Sequence, residues 1–132
     1  MSTARTILLV DDDADIRRVA ALSLERIGGF RVELASSGEE AIELAAAKPP
    51  DLILLDVSMP GTDGPATLAA LTALWDGART ERVPVVFFTA VANADEVTRL
   101  RALGAVGVVG KPFDVMGLSA RIRSILVEIG ID

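Results

Sequence analysis

Five polar side chains in this sequence follow directly on short apolar segments. In chain order they are Asp11 and Asp12, then Asp56, Thr89 and Lys111. Grouped carboxylates suit a hard divalent cation such as Mg²⁺, and a lone carboxylate is also a nucleophile that can form an aspartyl-phosphate. A hydroxyl group and an ammonium group can bind phosphoryl oxygens. The residue types therefore predict a site for a divalent metal and a phosphoryl group, provided that the fold brings the five together.

The apolar segments that precede these residues have the composition of β-strands buried on both faces. Strands are predicted at residues 6–10, 31–35, 52–56, 83–89 and 107–110. Because helix-like sequence separates them, we predict an α/β fold, a doubly wound five-stranded parallel sheet of (βα)₅ type with the flavodoxin-like order 2-1-3-4-5. Ligands of such sheets bind beyond the carboxyl ends of the strands, where Asp11, Asp12 and Asp56 would meet.

The sequence also contains signals for where the helices begin and end. Apolar residues at helical spacing over 16–27 predict the first helix. Ser36 or Ser37 is expected to cap the second helix. Pro65 suits the first turn of the third helix, and the polar segment 76–82 is expected to form a turn after it. Two further helices are predicted near 94–103 and 118–129.

Composition excludes several classes of protein. The 132 residues predict a single domain over 1–132, with its core at about 6–129. There is no cysteine, which excludes disulfide and thiolate sites and favours a cytoplasmic location, and there is no histidine, which excludes Ser-His-Asp catalysis. The net charge of −6 argues against nucleic-acid binding through a basic surface. No segment has the ~20 apolar residues of a membrane span, and the first residues lack a signal-peptide core, so we expect no association with a membrane.

Each of the polar residues also has a simpler structural explanation. Asp13 and Asp15 are expected to cap the first helix and to favour its positive end. Taken alone, Asp11 and Asp12 are explained equally well by capping, and Asp56 could start a turn. The functional interpretation is favoured because carboxylate, hydroxyl and ammonium groups all fall at strand ends, in one order along the chain.

Four short motifs surround these residues. They are Val10-Asp11-Asp12, Asp56 with Met59-Pro60-Gly61 and Gly64, Thr89-Ala90, and Lys111-Pro112-Phe113. Together they resemble the receiver domain of two-component response regulators, in the single-domain form typical of chemotaxis regulators. The resemblance covers roughly 6–129, and it is specific because it fixes residue type, order and approximate spacing together.

The resemblance implies a phosphorylation site and a metal site. Asp56 would be the phospho-acceptor, supplied by a phosphohistidine of a sensor histidine kinase or a phosphotransfer protein. Mg²⁺ would be bound directly by Asp12, by Asp56 and by the backbone carbonyl of Ser58, with Asp11 acting through water or by positioning. The protein would catalyse only its own phosphorylation and dephosphorylation, and it would not be an enzyme for another substrate.

The resemblance further implies how the phosphoryl group is held and what it changes. Thr89 and Lys111 would bind the phosphoryl group, and the peptide bond into Pro112 would be cis. Phosphorylation would change a surface formed by the fourth helix, the fifth strand and the fifth helix, where a downstream protein binds. The protein would be a monomer or a phosphorylation-dependent dimer.

Val108 departs from the family pattern. The family usually carries Tyr or Phe three residues before the lysine, and the ring changes orientation as the threonine shifts. Valine has few rotamers and no ring to move. We therefore expect switching to depend on the segment 90–95, which begins with Ala90 and has little packing to lose.

Two other functions fit part of the pattern. A haloacid-dehalogenase-like phosphatase also uses an aspartate nucleophile with Mg²⁺, but it usually has a second carboxylate two residues later, where this chain has Ser58. A receiver-like module that signals without phosphate typically lacks one of the acidic residues or the lysine, and none is missing here. Only the departure at Val108 favours that module.

Overall fold

The computed structural model describes residues 4–131, which form one parallel sheet flanked by helices. The strands are β1 (Thr6–Val10), β2 (Arg31–Ala35), β3 (Leu52–Asp56), β4 (Val85–Thr89) and β5 (Gly107–Gly110). Their spatial order is β2-β1-β3-β4-β5, and each neighbouring pair is parallel. The predicted strand order is confirmed.

The helices lie on both faces of the sheet. They are α1 (Ala14–Leu22), which continues as a π-helical turn over Ser23–Ile27, α2 (Gly38–Ala47), α3 (Gly64–Ala78), α4 (Ala94–Ala102) and α5 (Leu118–Glu128). Helices α1 and α5 cover one face, and α2, α3 and α4 cover the other. None of the helices in the described part of the chain is long and apolar enough to span a membrane.

Alternation of side chains along the strands builds a separate core on each face. In β1, Leu8 and Val10 pack with the α2, α3 and α4 side, whereas Ile7 and Leu9 pack with the α1 and α5 side. Every residue of β3 and β4 is buried, as expected for strands covered on both faces. Each fully buried Leu or Ile stabilises the fold by about 1.5–3 kcal/mol, which holds the strand ends in a fixed arrangement.

Polar residues that precede α2 and α3 act as the N-caps of these helices. Ser37 is the N-cap of α2 and accepts a hydrogen bond from the Glu40 N–H at 3.1 Å. The Glu40 carboxylate in turn accepts from the Ser36 N–H at 2.6 Å, so both serines take part in this capping arrangement. Asp63 caps α3, and a proline lies in the first turn of that helix as predicted.

The predicted end of α3 is wrong. The helix continues to Ala78, where the sequence indicated a polar turn from residue 76 onward. Trp75 is buried in the core and keeps the helix on the sheet up to that point. Asp76 lies on the exposed side of the helix, where a polar residue is compatible with continued helix. Its carboxylate accepts two hydrogen bonds from Arg82 at 2.9 and 2.6 Å. Arg79 then ends the helix in the left-handed conformation, with φ 57°.

The first helix also differs from the prediction. Helical spacing predicted one continuous helix over 16–27, but the hydrogen bonding changes to the π type after Leu22. In the π turn, Ser23 donates its hydroxyl to the carbonyl of Val115, and its own carbonyl accepts from the Ser119 hydroxyl at 3.4 Å. These contacts join the end of the first helix to the start of α5.

Strand β4 begins two residues later than predicted, at Val85 instead of Val83. Pro84 has no N–H with which to extend the ladder, although its carbonyl accepts from the Ile53 N–H at 2.9 Å. The carboxyl end of the strand, which carries Thr89, lies where it was predicted.

Gly64 determines how closely α3 approaches the end of β3. A Cβ atom at this position would lie 2.4 Å from the carbonyl oxygen of Asp56 and 2.8 Å from the Cα of Val57. Both neighbours are backbone atoms, which cannot rotate away. A glycine is therefore required for the helix to start against the strand end.

We expect Gly64→Ala to lower the free energy of unfolding by about 1–3 kcal/mol, because backbone must shift to admit the methyl group. Gly77→Ala in the same helix is the matched control, since no atom lies within 4 Å of a Cβ there. This control should stabilise the protein by up to about 1 kcal/mol through helix propensity. Urea unfolding measures both, and equal effects of the two substitutions would contradict the close packing at Gly64.

Candidate functional site

The carboxyl ends of β1 and β3 bring three carboxylates together. The strands are neighbours in register, with Val10 opposite Leu55, so the residues that follow on each strand lie side by side. One carboxylate oxygen from each of Asp11, Asp12 and Asp56 lies within 4.8 Å of the others. Asp11 and Asp56 are buried, whereas Asp12 is exposed. The three residues selected from the sequence therefore form one acidic cluster.

Lys111 reaches this cluster from the end of β5. Its Nζ lies 2.7 Å from Oδ2 of Asp11 and 3.1 Å from Oδ1 of Asp56. Burial by itself lowers the pKa of Lys111, but hydrogen bonds to the two carboxylates outweigh it and raise the pKa above the usual lysine range. The side chain is therefore a cation that bridges the two buried carboxylates.

Asp56 is the most perturbed acid of the site. Burial in the sheet raises its pKa, the negative charge of Asp11 raises it further, and contact with Lys111 offsets part of the increase, giving a value of about 6. The Ser58 N–H also donates to Oδ1 of Asp56 at 3.2 Å. A carboxylate this basic is still ionised at neutral pH.

Thr89 lies at the end of β4, but its hydroxyl is engaged within its own loop. Oγ1 accepts from the Val91 N–H at 3.0 Å and lies 3.3 Å from the Val91 carbonyl, to which it can donate. Both contacts are with the segment that leads into α4. The hydroxyl has one proton, so it must give up its bond to the Val91 carbonyl before it can donate to another group.

The remaining residues of the predicted site lie close to these. Ser58 and Ala90 are exposed at the ends of their strands, and the Lys111–Pro112 peptide bond is cis. Val108 is buried in β5 opposite Phe87, in the core that also contains Leu100. The role of the Ser58 carbonyl as a metal ligand stays a prediction.

The capping interpretation applies to part of the acidic run. Asp13 is the N-cap of α1 and accepts from the N–H groups of Asp15 and Ile16 at 2.9 and 3.2 Å. Asp11 instead accepts from the Asp13 N–H at 2.9 Å, and it is held by Lys111. The capping role predicted for Asp13 is therefore confirmed, while Asp11 belongs to the cluster.

Two residues of the site were missed from the sequence. The ring of Phe88 lies beneath the ammonium group, with its centroid 5.1 Å from Nζ of Lys111, and it packs against Phe113 at 5.3 Å between ring centroids. Arg17 donates from Nη1 to the carbonyl oxygen of Asp11 at 2.7 Å. Phe88 could have been found from its place beside Thr89 in the strand, but helical periodicity gives no signal for Arg17.

The donor set fits a hard divalent cation. All the side-chain donors are carboxylate oxygens, which Mg²⁺ prefers. Among residues 4–131, nothing donates a hydrogen bond to the Asp12 carboxylate or forms an ion pair with it. An exposed, unpartnered carboxylate beside two buried ones leaves one side of the cluster open to an ion that keeps several of its water ligands.

Comparison with known proteins shows which family the chain is similar to. Residues 7–123 match the family described as response regulator receiver domain. A protein of Guillardia theta named Probable transcriptional regulator ycf27 is 39% identical over 127 residues, which are 96% of this chain and 47% of that protein. Transcriptional regulatory protein AfsQ1 of Streptomyces coelicolor is 38% identical over 121 residues, 92% of this chain and 51% of that protein. The chain thus spans about half the length of these curated relatives.

The fold is also similar to that of a solved protein of this kind. The chemotaxis response regulator CheY4 of Vibrio cholerae superimposes with a TM-score of 0.83 at 28% identity, covering 94% of this chain and all of that one. The sheet order, the acidic cluster and the lysine agree with the family match. The chain therefore belongs to the response regulator receiver domain family.

Proposed function

We propose that this receiver accepts a phosphoryl group on Asp56 in a Mg²⁺-dependent reaction, from a phosphohistidine of a sensor histidine kinase or a phosphotransfer protein. The observation that carries the proposal is the buried Asp56 carboxylate, 3.1 Å from the Lys111 ammonium group and grouped with two further carboxylates. We also propose that residues 1–132 act as a single receiver domain with its core at about 6–129, and that it works in the cytoplasm.

Asp56 is suited to act as the nucleophile. Its pKa of about 6 keeps it ionised near neutral pH while making it more basic than an ordinary aspartate. One carboxylate oxygen attacks the phosphorus atom, the P–N bond of the donor breaks, and its electron pair stays on the imidazole nitrogen. The product is an aspartyl-phosphate.

Lys111 neutralises charge as the phosphoryl group arrives. Its ammonium group already lies within 3.1 Å of Asp56, so little reorganisation is needed to bind a phosphoryl oxygen. Phe88 supports the lysine from below and limits the positions of its flexible side chain. Positioning and charge neutralisation are most of what phosphoryl transfer requires from a protein.

The metal site supports the same reaction. Asp11, Asp12 and Asp56, with the backbone carbonyl of Ser58, would hold Mg²⁺. When bound, the ion would offset the repulsion between the carboxylates and the phosphoryl oxygens. Ser58 also weakens the case for a haloacid-dehalogenase-like phosphatase, because it leaves no second carboxylate two residues after the nucleophile. The chain would then catalyse only its own phosphorylation and dephosphorylation.

The partners that we propose for this domain are proteins. The net charge of −6 argues against direct binding of nucleic acid by this domain, although two relatives are named as regulators of transcription. We propose that phosphorylation changes the face formed by α4, β5 and α5, where a downstream protein or a second phosphorylated copy binds. In the absence of phosphate the protein would be a monomer.

Thr89 offers a route for switching that needs no aromatic ring. Its hydroxyl holds Val91 through the backbone, so binding to a phosphoryl group would release the segment before α4. Val108 supplies no ring to follow the threonine, and Ala92 is an exposed residue whose Cβ lies 3.2 Å from where a Cβ of Gly110 would be. We therefore propose that the segment 90–95 changes most on phosphorylation.

With Mg²⁺ and acetyl phosphate, we expect the protein to gain one base-labile phosphoryl group, and Asp56→Asn to gain none. Asp76→Asn is the matched control, because Asp76 is exposed near the end of α3, away from the strand ends that carry the site, and should not affect the reaction. Intact-mass spectrometry before and after alkali measures the modification. Phosphorylation of Asp56→Asn at the wild-type rate would show that the acceptor is another residue.

The pKa of Asp56 also predicts a pH-dependent stability. The pKa of Asp56 is about 6 in the folded protein and 3.8 in the unfolded chain, so the folded state binds the proton more tightly. The resulting contribution to stability is complete below pH 3.8 and is lost as the pH rises through about 6. In metal-free buffer, Asp56→Asn should therefore raise the free energy of unfolding by about 3 kcal/mol near pH 7.5 and by almost nothing near pH 3.5. Urea unfolding at the two pH values tests this, with Glu43→Gln on the exposed side of α2 as the neutral control, and a gain that is the same at both would refute the raised pKa of Asp56.

Hydrogen exchange tests the switch. We expect phosphorylation to change amide exchange most within 90–95, with faster exchange at Val91, and to change it little at Val108. Thr89→Val should cause the Val91 effect without phosphate, because it removes the acceptor of that N–H. Thr98→Val, which loses only an exposed bond to Ala94, is the control. Changes centred on β5 would count against this route.

A further inference from the structure

Arg17 contacts the acidic cluster through the backbone and not through a carboxylate. It lies in α1, is half-buried, and donates from Nη1 to the carbonyl oxygen of Asp11 at 2.7 Å. A charged donor on a partly buried carbonyl makes one of the stronger hydrogen bonds found in proteins. This bond connects α1 with the turn between β1 and α1.

The carbonyl that Arg17 binds belongs to the peptide unit between Asp11 and Asp12. Peptide units are planar, so fixing the direction of this carbonyl also fixes the N–H and the Cα of Asp12. The other bonds of the turn hold Asp11, through its N–H to the Ala35 carbonyl at 3.2 Å, and Asp13, through its N–H to the Asp11 carboxylate at 2.9 Å. Within residues 4–131, the Asp12 carboxylate itself has no partner to orient it.

We infer that Arg17 is a positioning residue for the divalent cation: it orients the Asp11–Asp12 peptide unit so that the Asp12 carboxylate faces the other two carboxylates. This inference rests on the proposed metal site. It gives Arg17 a role that its charge alone would not suggest, because a guanidinium group close to a cation site repels the cation.

The two effects of Arg17 predict opposite results when the side chain is replaced. If only its charge mattered, removal of a positive group near three carboxylates would strengthen Mg²⁺ binding. If Arg17 orients Asp12, removal frees the peptide unit and weakens binding, by about tenfold for an outer-shell partner of a metal ligand. The direction of the change therefore separates positioning from simple electrostatics.

Arg18 provides a matched control in the next position of the chain. It is exposed, and its guanidinium pairs with Asp15 at 3.9 Å on the outer side of α1. Arg17→Met and Arg18→Met remove the same charge from the same helix, and methionine keeps a similar helix propensity. Only the first substitution removes the bond to the Asp11 carbonyl.

The experiment is a calorimetric titration of MgCl₂ into the full chain, with wild type, Arg17→Met and Arg18→Met compared at one ionic strength. We expect Arg17→Met to raise the Mg²⁺ dissociation constant about tenfold, and Arg18→Met to leave it within about twofold of wild type or slightly lower. Arg17→Lys keeps the charge but offers a compact ammonium in place of the fork, so it should also weaken binding. Urea unfolding in metal-free buffer establishes whether each variant is folded. If Arg17→Met does not fold, the comparison is made with Arg17→Lys.

Unchanged or tighter Mg²⁺ binding by both Arg17 variants would overturn the positioning role while leaving the metal site intact. Equal weakening by Arg17→Met and Arg18→Met would overturn it as well, since the effect would then not depend on the bond to Asp11. Failure of the wild-type protein to bind Mg²⁺ would instead refute the proposed metal site, and the positioning role with it.

Discussion

Repulsion between carboxylates at neighbouring strand ends is the constraint on which the rest of this site depends. Each pair of like charges about 5 Å apart costs on the order of 1–3 kcal/mol, depending on the local dielectric. Lys111 offsets part of this cost by contacting two of the three carboxylates, but burial and, to a smaller extent, the charge of Asp11 still keep the pKa of Asp56 raised. The folded protein therefore keeps repelling carboxylates close together, and binding of a divalent cation or protonation at lower pH would reduce this repulsion.

The sheet can hold this unfavourable arrangement because both of its faces are buried. Strand β3 has no exposed residue, and the start of α3 lies so close to its end that only Gly64 fits. Asp56 is consequently fixed from behind by backbone atoms, not by a mobile side chain. The β4–α4 segment differs, since exposed Ala90 and Val91 precede the helix and two bonds from one threonine hydroxyl hold the turn. A switch requires a rigidly held site next to a segment that can change its conformation, and here these are Asp56 and the β4–α4 segment.

Sequence reasoning located the features that depend on local composition and failed where distant contacts decide. The strands and the acidic cluster follow from apolar segments that end in carboxylates, a pattern visible in the printed sequence. The continuation of α3 past Asp76 depends on Trp75 packing in the core and on Arg82 returning to bind Asp76, neither of which is a local property. Arg17 was missed for a related reason: its bond to the Asp11 carbonyl depends on the turn geometry, which helical spacing does not encode.

In the proposed switch, Thr89 would exchange its contacts with Val91 for a contact with the phosphoryl group, and the energies of these bonds bear on switching without a ring at Val108. A neutral hydrogen bond contributes a net 0.5–1.5 kcal/mol, whereas a bond to a charged group contributes about 1.5–3 kcal/mol. Exchanging the two Val91 contacts for one phosphoryl contact therefore gains no more than about 1 kcal/mol, which shifts an equilibrium by about fivefold at most. Rotation of a buried ring would add packing energy to such a shift, but Val108 cannot supply it. The remaining preference for the active state must then come from the partner that binds the released segment, so phosphorylation and partner binding would act together in this protein.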